Sequence, residues 1–165
     1  MNCKCLNLFA LLALQLLAGC GSPPTNPSAK QDDHGHAHAS EGPHHGHLIE
    51  FGDEEYHGEL THDDATKTIT VYLLGPDAKT AVTSSDTEIA LNLVVNGEPL
   101  QAKLVAAPQE GEKAGEASRF TVVDEKVLEA LEKPKTTGRV SVNIGGKSYT
   151  GTLDLSTHPH GHDHK

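Results

Sequence analysis

The sequence predicts an all-β domain with one short helix. The simplest architecture is an antiparallel Ig-like β-sandwich of about 110 residues, with a small barrel as the alternative. Three observations predict it. Apolar and polar residues alternate in short runs from Tyr56 to Leu155, the period of half-buried strands. Asn96-Gly97 and Gly145-Gly146 break two of those runs with the chemistry of tight hairpin turns. Only residues 125–133, EKVLEALEK, carry a helical period.

The elements follow in order. In EYHGELTH, Tyr56, Gly58 and Leu60 share one face and His57, Glu59 and Thr61 the other. The polar DDATK turns the chain, and TITVYLL puts Ile69, Val71 and Leu73 on one side. Pairing Leu60 with Ile69, Gly58 with Val71 and Tyr56 with Leu73 keeps both apolar faces together. The second hairpin, EIALNLVVNGEPLQAKLVAA, turns at Asn96-Gly97, which supplies the two positive-φ residues of a type I′ turn. Val95 then faces Glu98, Leu93 faces Leu100, Leu91 faces Ala102 and Ile89 faces Leu104, with every apolar pair in phase. Pro99 has no N–H and belongs at a non-bonded or edge position.

GEKAGEAS, residues 111–118, reads as a loop, and RFTVV as a strand with Phe120 and Val122 inward. Asp124 caps the helix, Val127, Leu128 and Leu131 form its apolar stripe, and Pro134 ends it. The third hairpin turns at Gly145-Gly146, so that Val142 faces Tyr149 and Val140 faces Gly151. Six to eight short strands result.

Composition limits what such a domain does. The 165 residues have a side-chain charge of −10 and no run of basic residues, which argues against nucleic acid and against docking on anionic lipid by charge. Gly-x-Ser-x-Gly, the P-loop, the dinucleotide fingerprint and His-Glu-x-x-His are all missing. The acidic residues sit mostly in turns, where solvation accounts for them. The sequence therefore predicts a binding protein and no enzyme.

All three cysteines, Cys3, Cys5 and Cys20, fall in the first twenty residues. MNCKCLNLFALLALQLLAGC opens with Lys4, continues with an apolar run from Leu6 to Ala18, and ends on small residues before Cys20. The run is shorter than the roughly 20 residues a spanning helix needs. Its ending, Leu17-Ala18-Gly19-Cys20, resembles a bacterial lipobox. That resemblance implies cleavage before Cys20, a diacylglyceryl group on the Cys20 thiol, and membrane attachment through lipid in the bacterial cell envelope. The mature chain would carry no free thiol. Gly21 in place of Asp favours the outer membrane in enteric-type bacteria, with the periplasmic face of the inner membrane as the alternative. GSPPTNPSAKQDD then reads as a flexible tether. The expected division is a signal peptide at 1–19, a lipid-anchored His-rich tether at 20–47, the β domain at 48–157 and a His-rich tail at 158–165.

Twelve histidines are placed unevenly. His34, His36, His38, His44, His45 and His47 precede the first strand. His158, His160, His162 and His164 follow the last, and His57 and His62 lie in the first hairpin. Neutral imidazole is the commonest metal ligand. The i, i+2 spacing puts rings on one side of an extended chain, and Asp32, Asp33 and Asp163 add oxygen donors. His57 and Glu59, on one strand face, with His62 beside Asp63 and Asp64, form a candidate ordered site joined to the tracts. The donors outnumber what one tetrahedral ion needs, which suits labile buffering or hand-over. The His-rich segments resemble those of periplasmic zinc- and nickel-handling proteins. Zn²⁺ leads, followed by Ni²⁺, Co²⁺ and Cu²⁺, while Cu(I) wants sulfur ligands that the mature chain lacks.

The expected function is a lipid-anchored divalent-metal binding protein, acting as a buffer or as an accessory to a metal transport or efflux system. Solvated tails on an envelope interaction module are the alternative. A pH response is a third reading that coexists with the first, because protons compete for the same nitrogens.

Overall fold

In the computed structural model, residues 41–155 are described. Cys20, His34, His36, His38, His158, His160, His162 and His164 lie outside them. The elements are β1 (His47–Phe51), β2 (Tyr56–Asp63), β3 (Thr68–Leu74), β4 (Glu88–Val95), β5 (Glu98–Ala106), β6 (Arg119–Val123), α1 (Glu125–Glu132), β7 (Thr137–Ile144) and β8 (Lys147–Asp154). Among the described residues no helix is long and apolar enough to cross a membrane.

The eight strands form one antiparallel sheet in the order β1-β2-β3-β6-β5-β4-β7-β8. Its two ends, β1 and β8, come back together. A Cβ placed on Gly151 of β8 would fall 2.6 Å from the Glu50 carbonyl oxygen and 2.9 Å from Phe51 Cδ1 of β1. The sheet is therefore nearly closed, which is the small-barrel form of the all-β fold. Side chains tie the seam beside those glycine contacts. Lys147 Nζ lies 2.8 Å from Glu55 Oε1, and the Tyr149 hydroxyl donates to Glu55 Oε2 at 2.6 Å. These bonds, the one to Lys147 first, hold the Glu55 carboxyl below its ordinary range. Tyr149 also meets Tyr56 edge-on, with ring centroids 5.3 Å apart.

The second and third hairpins have the expected registers. Asn96 and Gly97 take φ of 53° and 89°, and Leu93↔Leu100, Leu91↔Ala102 and Ile89↔Leu104 pair. Pro99 stands opposite Val94 at one end of β5, while β5 meets β6 only through Val105 and Ala106 at the other. Among the described residues no strand pairs with Pro99 on its far side, so its missing N–H breaks no ladder bond there. Gly145 and Gly146 both have positive φ, and Val142↔Tyr149 and Val140↔Gly151 pair.

The first hairpin differs. Leu60 pairs with Val71 and Gly58 with Leu73, not with Ile69 and Val71. The reason lies in the turn. Asp63 Oδ1 accepts from Ala65 N and Thr66 N at 2.9 Å each, and Lys67 takes a left-handed φ of 55°. Asp63 therefore joins β2 and closes the hairpin against Thr68, the first residue of β3. The two-residue change in register preserves which face each side chain occupies.

The inward faces build one core. Ile49 and Phe51, Ile69, Val71 and Leu73, Ile89, Leu91 and Leu93, Leu104, Phe120 and Leu153 are almost wholly buried. Phe51 uses the space left by Gly58, where a Cβ would lie 3.0 Å from its ring. The helix α1 is capped as expected, with the Asp124 side chain accepting from Lys126 N and Val127 N. Val127, Leu128, Ala130 and Leu131 join the core.

Candidate metal centre

The candidate site starts with a turn just before β1. Gly42 O accepts from His45 N at 3.1 Å, Gly42 N donates to Gly46 O at 3.0 Å, and Glu41 bridges His47. Pro43 presets the bend, and His45 completes it with a left-handed φ of 61°. Ordered structure thus reaches back to Glu41, ahead of the Leu48 start that composition suggests.

This turn lies on the outer face of β2 and closes over Glu59. His44 N and Gly46 N donate to Glu59 Oε1 at 2.7 and 2.8 Å. His44 Nδ1 lies 2.7 Å from Oε2. The glycines make the approach possible. A Cβ on Gly42 would lie 2.7 Å from both carboxylate oxygens, and one on Gly46 would lie 2.5 Å from Leu60 O. Glu59 is consequently 0% exposed although it points away from the barrel interior. A buried carboxylate is tolerated only when its lone pairs are engaged, and here two amides and an imidazole engage them. The His44 ring lies flat on Tyr72, with centroids 3.8 Å apart and planes 7° from parallel.

Three histidines have their Nδ1 against an oxygen: His44 against Glu59, His45 against Glu41 Oε1 at 2.7 Å, and His57 against the Gly75 carbonyl at 3.0 Å. A carbonyl or carboxylate oxygen can only accept, so Nδ1 carries the proton in each. In the neutral ring Nε2 is then the metal-binding nitrogen. Oxygen partners of this kind orient metal-ligating imidazoles in general.

An open cleft of about 330 Å³ collects most of these rings. His44, His45, His47 and His62 line it, with Leu60, Leu131 and Leu155. Four of the five described histidines therefore share one cleft. At its edge His62 Nε2 lies 3.5 Å from Asp64 Oδ1, and ligand atoms of His62, Asp64 and Glu132 all fall within 4.8 Å of one another. The turn beside them is stiffened by Asp63, whose carboxyl is held below its ordinary range, chiefly by the Thr66 amide.

Of the sequence candidates, the fold brings His44, His45, His47 and His62 together. It does not gather His57 and Glu59 with them around one ion. His57 is 8% exposed and bonded to Gly75, and both Glu59 oxygens are engaged in holding the His44 turn. Glu59 can act on a metal only through His44. Sequence reasoning missed Glu132, which reaches His62 across 70 positions of chain. It also missed the turn over Glu59, for which Gly42, Pro43 and Gly46 are the signal.

Leu155 brings the other end of the chain to the same cleft. No family model, curated protein or solved structure matches the chain.

Proposed function

We propose that this protein is a lipid-anchored extracytoplasmic binding protein for divalent transition metal, Zn²⁺ first, acting as a buffer or as an accessory to metal transport or efflux. One observation carries the reading. Four histidines line one cleft, and the chain enters and leaves the domain beside it, with Glu41–His47 on one side and Leu155 on the other. In the sequence, the His-rich segments at 34–38 and 158–164 flank these two ends. Imidazole with a few carboxylates suits Zn²⁺, Ni²⁺, Co²⁺ and Cu²⁺. The lipobox-like ending at Cys20 supports attachment to the bacterial envelope. Binding weakens as pH falls, because protons and metal compete for the same imidazole nitrogens.

The test is competition for Zn²⁺ between the mature chain and a chromogenic chelator. More than one equivalent is expected to leave the chelator at pH 7.5. Uptake no greater than that of an unrelated acidic β protein would overturn the reading. A second reading, an envelope interaction module, draws on the exposed Val105 and Val123 of the adjacent strands β5 and β6. It requires that replacing the histidines of both tracts leave partner binding intact.

A further inference from the structure

The shared cleft says where histidines gather but not which atoms hold an ion in a fixed geometry. We infer that His62, Asp64 and Glu132 form a shaped site for one divalent transition-metal ion, which pins the β2–β3 turn to the end of α1. This inference rests on the metal-binding reading and gives it a ligand set.

Three separate observations converge. The first is distance. Ligands held 2.0–2.2 Å from a tetrahedral ion stand about 3.3–3.6 Å apart. His62 Nε2 and Asp64 Oδ1 are already 3.5 Å apart, and Glu132 completes a set whose ligand atoms lie within 4.8 Å of one another. The second is exposure in the right places. The His62 side chain is only 20% exposed and fixes the site, while Asp64 at 51% and the exposed Glu132 can rotate the remaining distance onto an ion.

The third is electrostatic. Glu132 is the last residue of α1, where the helix dipole is negative, and the last turn holds no basic residue. A carboxylate there is disfavoured, and Asp64 adds a second negative charge next to it. A divalent cation neutralises both and complements the helix end. One imidazole and two carboxylates match Zn²⁺ and its neighbours better than soft Cu(I). Three protein ligands leave a fourth position. Water or a further donor can take it, because His62 lines an open cleft.

The experiment uses the mature chain with His34, His36, His38, His158, His160, His162 and His164 replaced by alanine, and Co²⁺ as a spectroscopic probe. The expected result is one equivalent bound, with the intense visible bands of low-coordinate Co²⁺. Asp64→Asn, Glu132→Gln and His62→Gln are each expected to weaken it at least about tenfold. Circular dichroism of the same samples confirms the fold, and the two exposed carboxylate changes guard against a misfolded His62 variant. If one equivalent persists unchanged in all three variants, the site is elsewhere and this inference fails while the metal-binding reading stands. If the substituted chain binds nothing and the unsubstituted chain binds metal, the site fails and the tracts alone bind. If the unsubstituted chain also binds nothing, the metal-binding reading itself fails.

Discussion

Glu59 is a strand residue that faces away from the barrel yet is completely buried, because the Glu41–Gly46 turn closes over it. The turn depends on this one carboxylate for two amide bonds and for the orientation of His44. Glu59→Ala leaves both amides unsatisfied and is expected to cost roughly 2 kcal/mol, near the penalty for stranding buried donors. Urea unfolding measures the loss. Amide spectra should show His44 and Gly46 moving toward solvent-exposed values while the β4–β5 hairpin is unchanged. Unaltered His44 and Gly46 amides would contradict the latch. Glu59 was legible in the sequence as a polar residue sharing a strand face with His57, which made it a candidate ligand. Its real partners were not legible, because the turn that covers it sits in a low-complexity tract where composition argues against order.

Hairpins differ in how much of their geometry the sequence reveals. Asn96-Gly97 and Gly145-Gly146 each fix two positive-φ residues, so strand register follows directly. DDATK admits more than one turn, and only the bonds from Ala65 and Thr66 to Asp63 decide between them. The turn after β3 uses the same device. Asp77 Oδ1 accepts from Lys79 N at 3.0 Å and Thr80 N at 2.8 Å, and Oδ2 accepts from the Thr80 hydroxyl at 2.6 Å. The Thr80 hydroxyl first, then these amides, bring the Asp77 carboxyl down from 3.8 to about 2. A depressed folded-state pKa contributes stability above the unfolded value and loses it as protons bind in the folded state. The contribution is therefore complete above about pH 4 and disappears as pH falls toward 2. Asp77→Asn is expected to flatten the stability profile across that interval. Urea midpoints at pH 5, 3.5 and 2.5 measure the slope, and an unchanged slope would contradict the assignment.

At the scale of the whole molecule, the strands and their alternation were legible, but closure of the sheet was not. Alternation fixes which face is buried in a sandwich and in a barrel alike. What distinguishes them here is the meeting of β1 with β8, which depends on Gly151 lying against Glu50 and Phe51. Gly151→Ala is expected to destabilise the protein by about 3 kcal/mol, the upper end for overpacking. A wild-type urea midpoint in that variant would show that the seam is looser than described. Closure also brings Leu155 to the cleft beside the turn that precedes β1, which no local pattern announces.

Whether the folded cleft takes metal, and not the tracts alone, is decided by imidazole nitrogen spectra of residues 21–165 during a Zn²⁺ titration. Groups already held in place pay less ordering entropy on binding than a low-complexity tract does. The first equivalent is expected to shift His62 together with other cleft histidines, the tract histidines to follow, and His57, bonded to Gly75, to stay unchanged. Saturation of the tract histidines with His62, His44, His45 and His47 unmoved would contradict it.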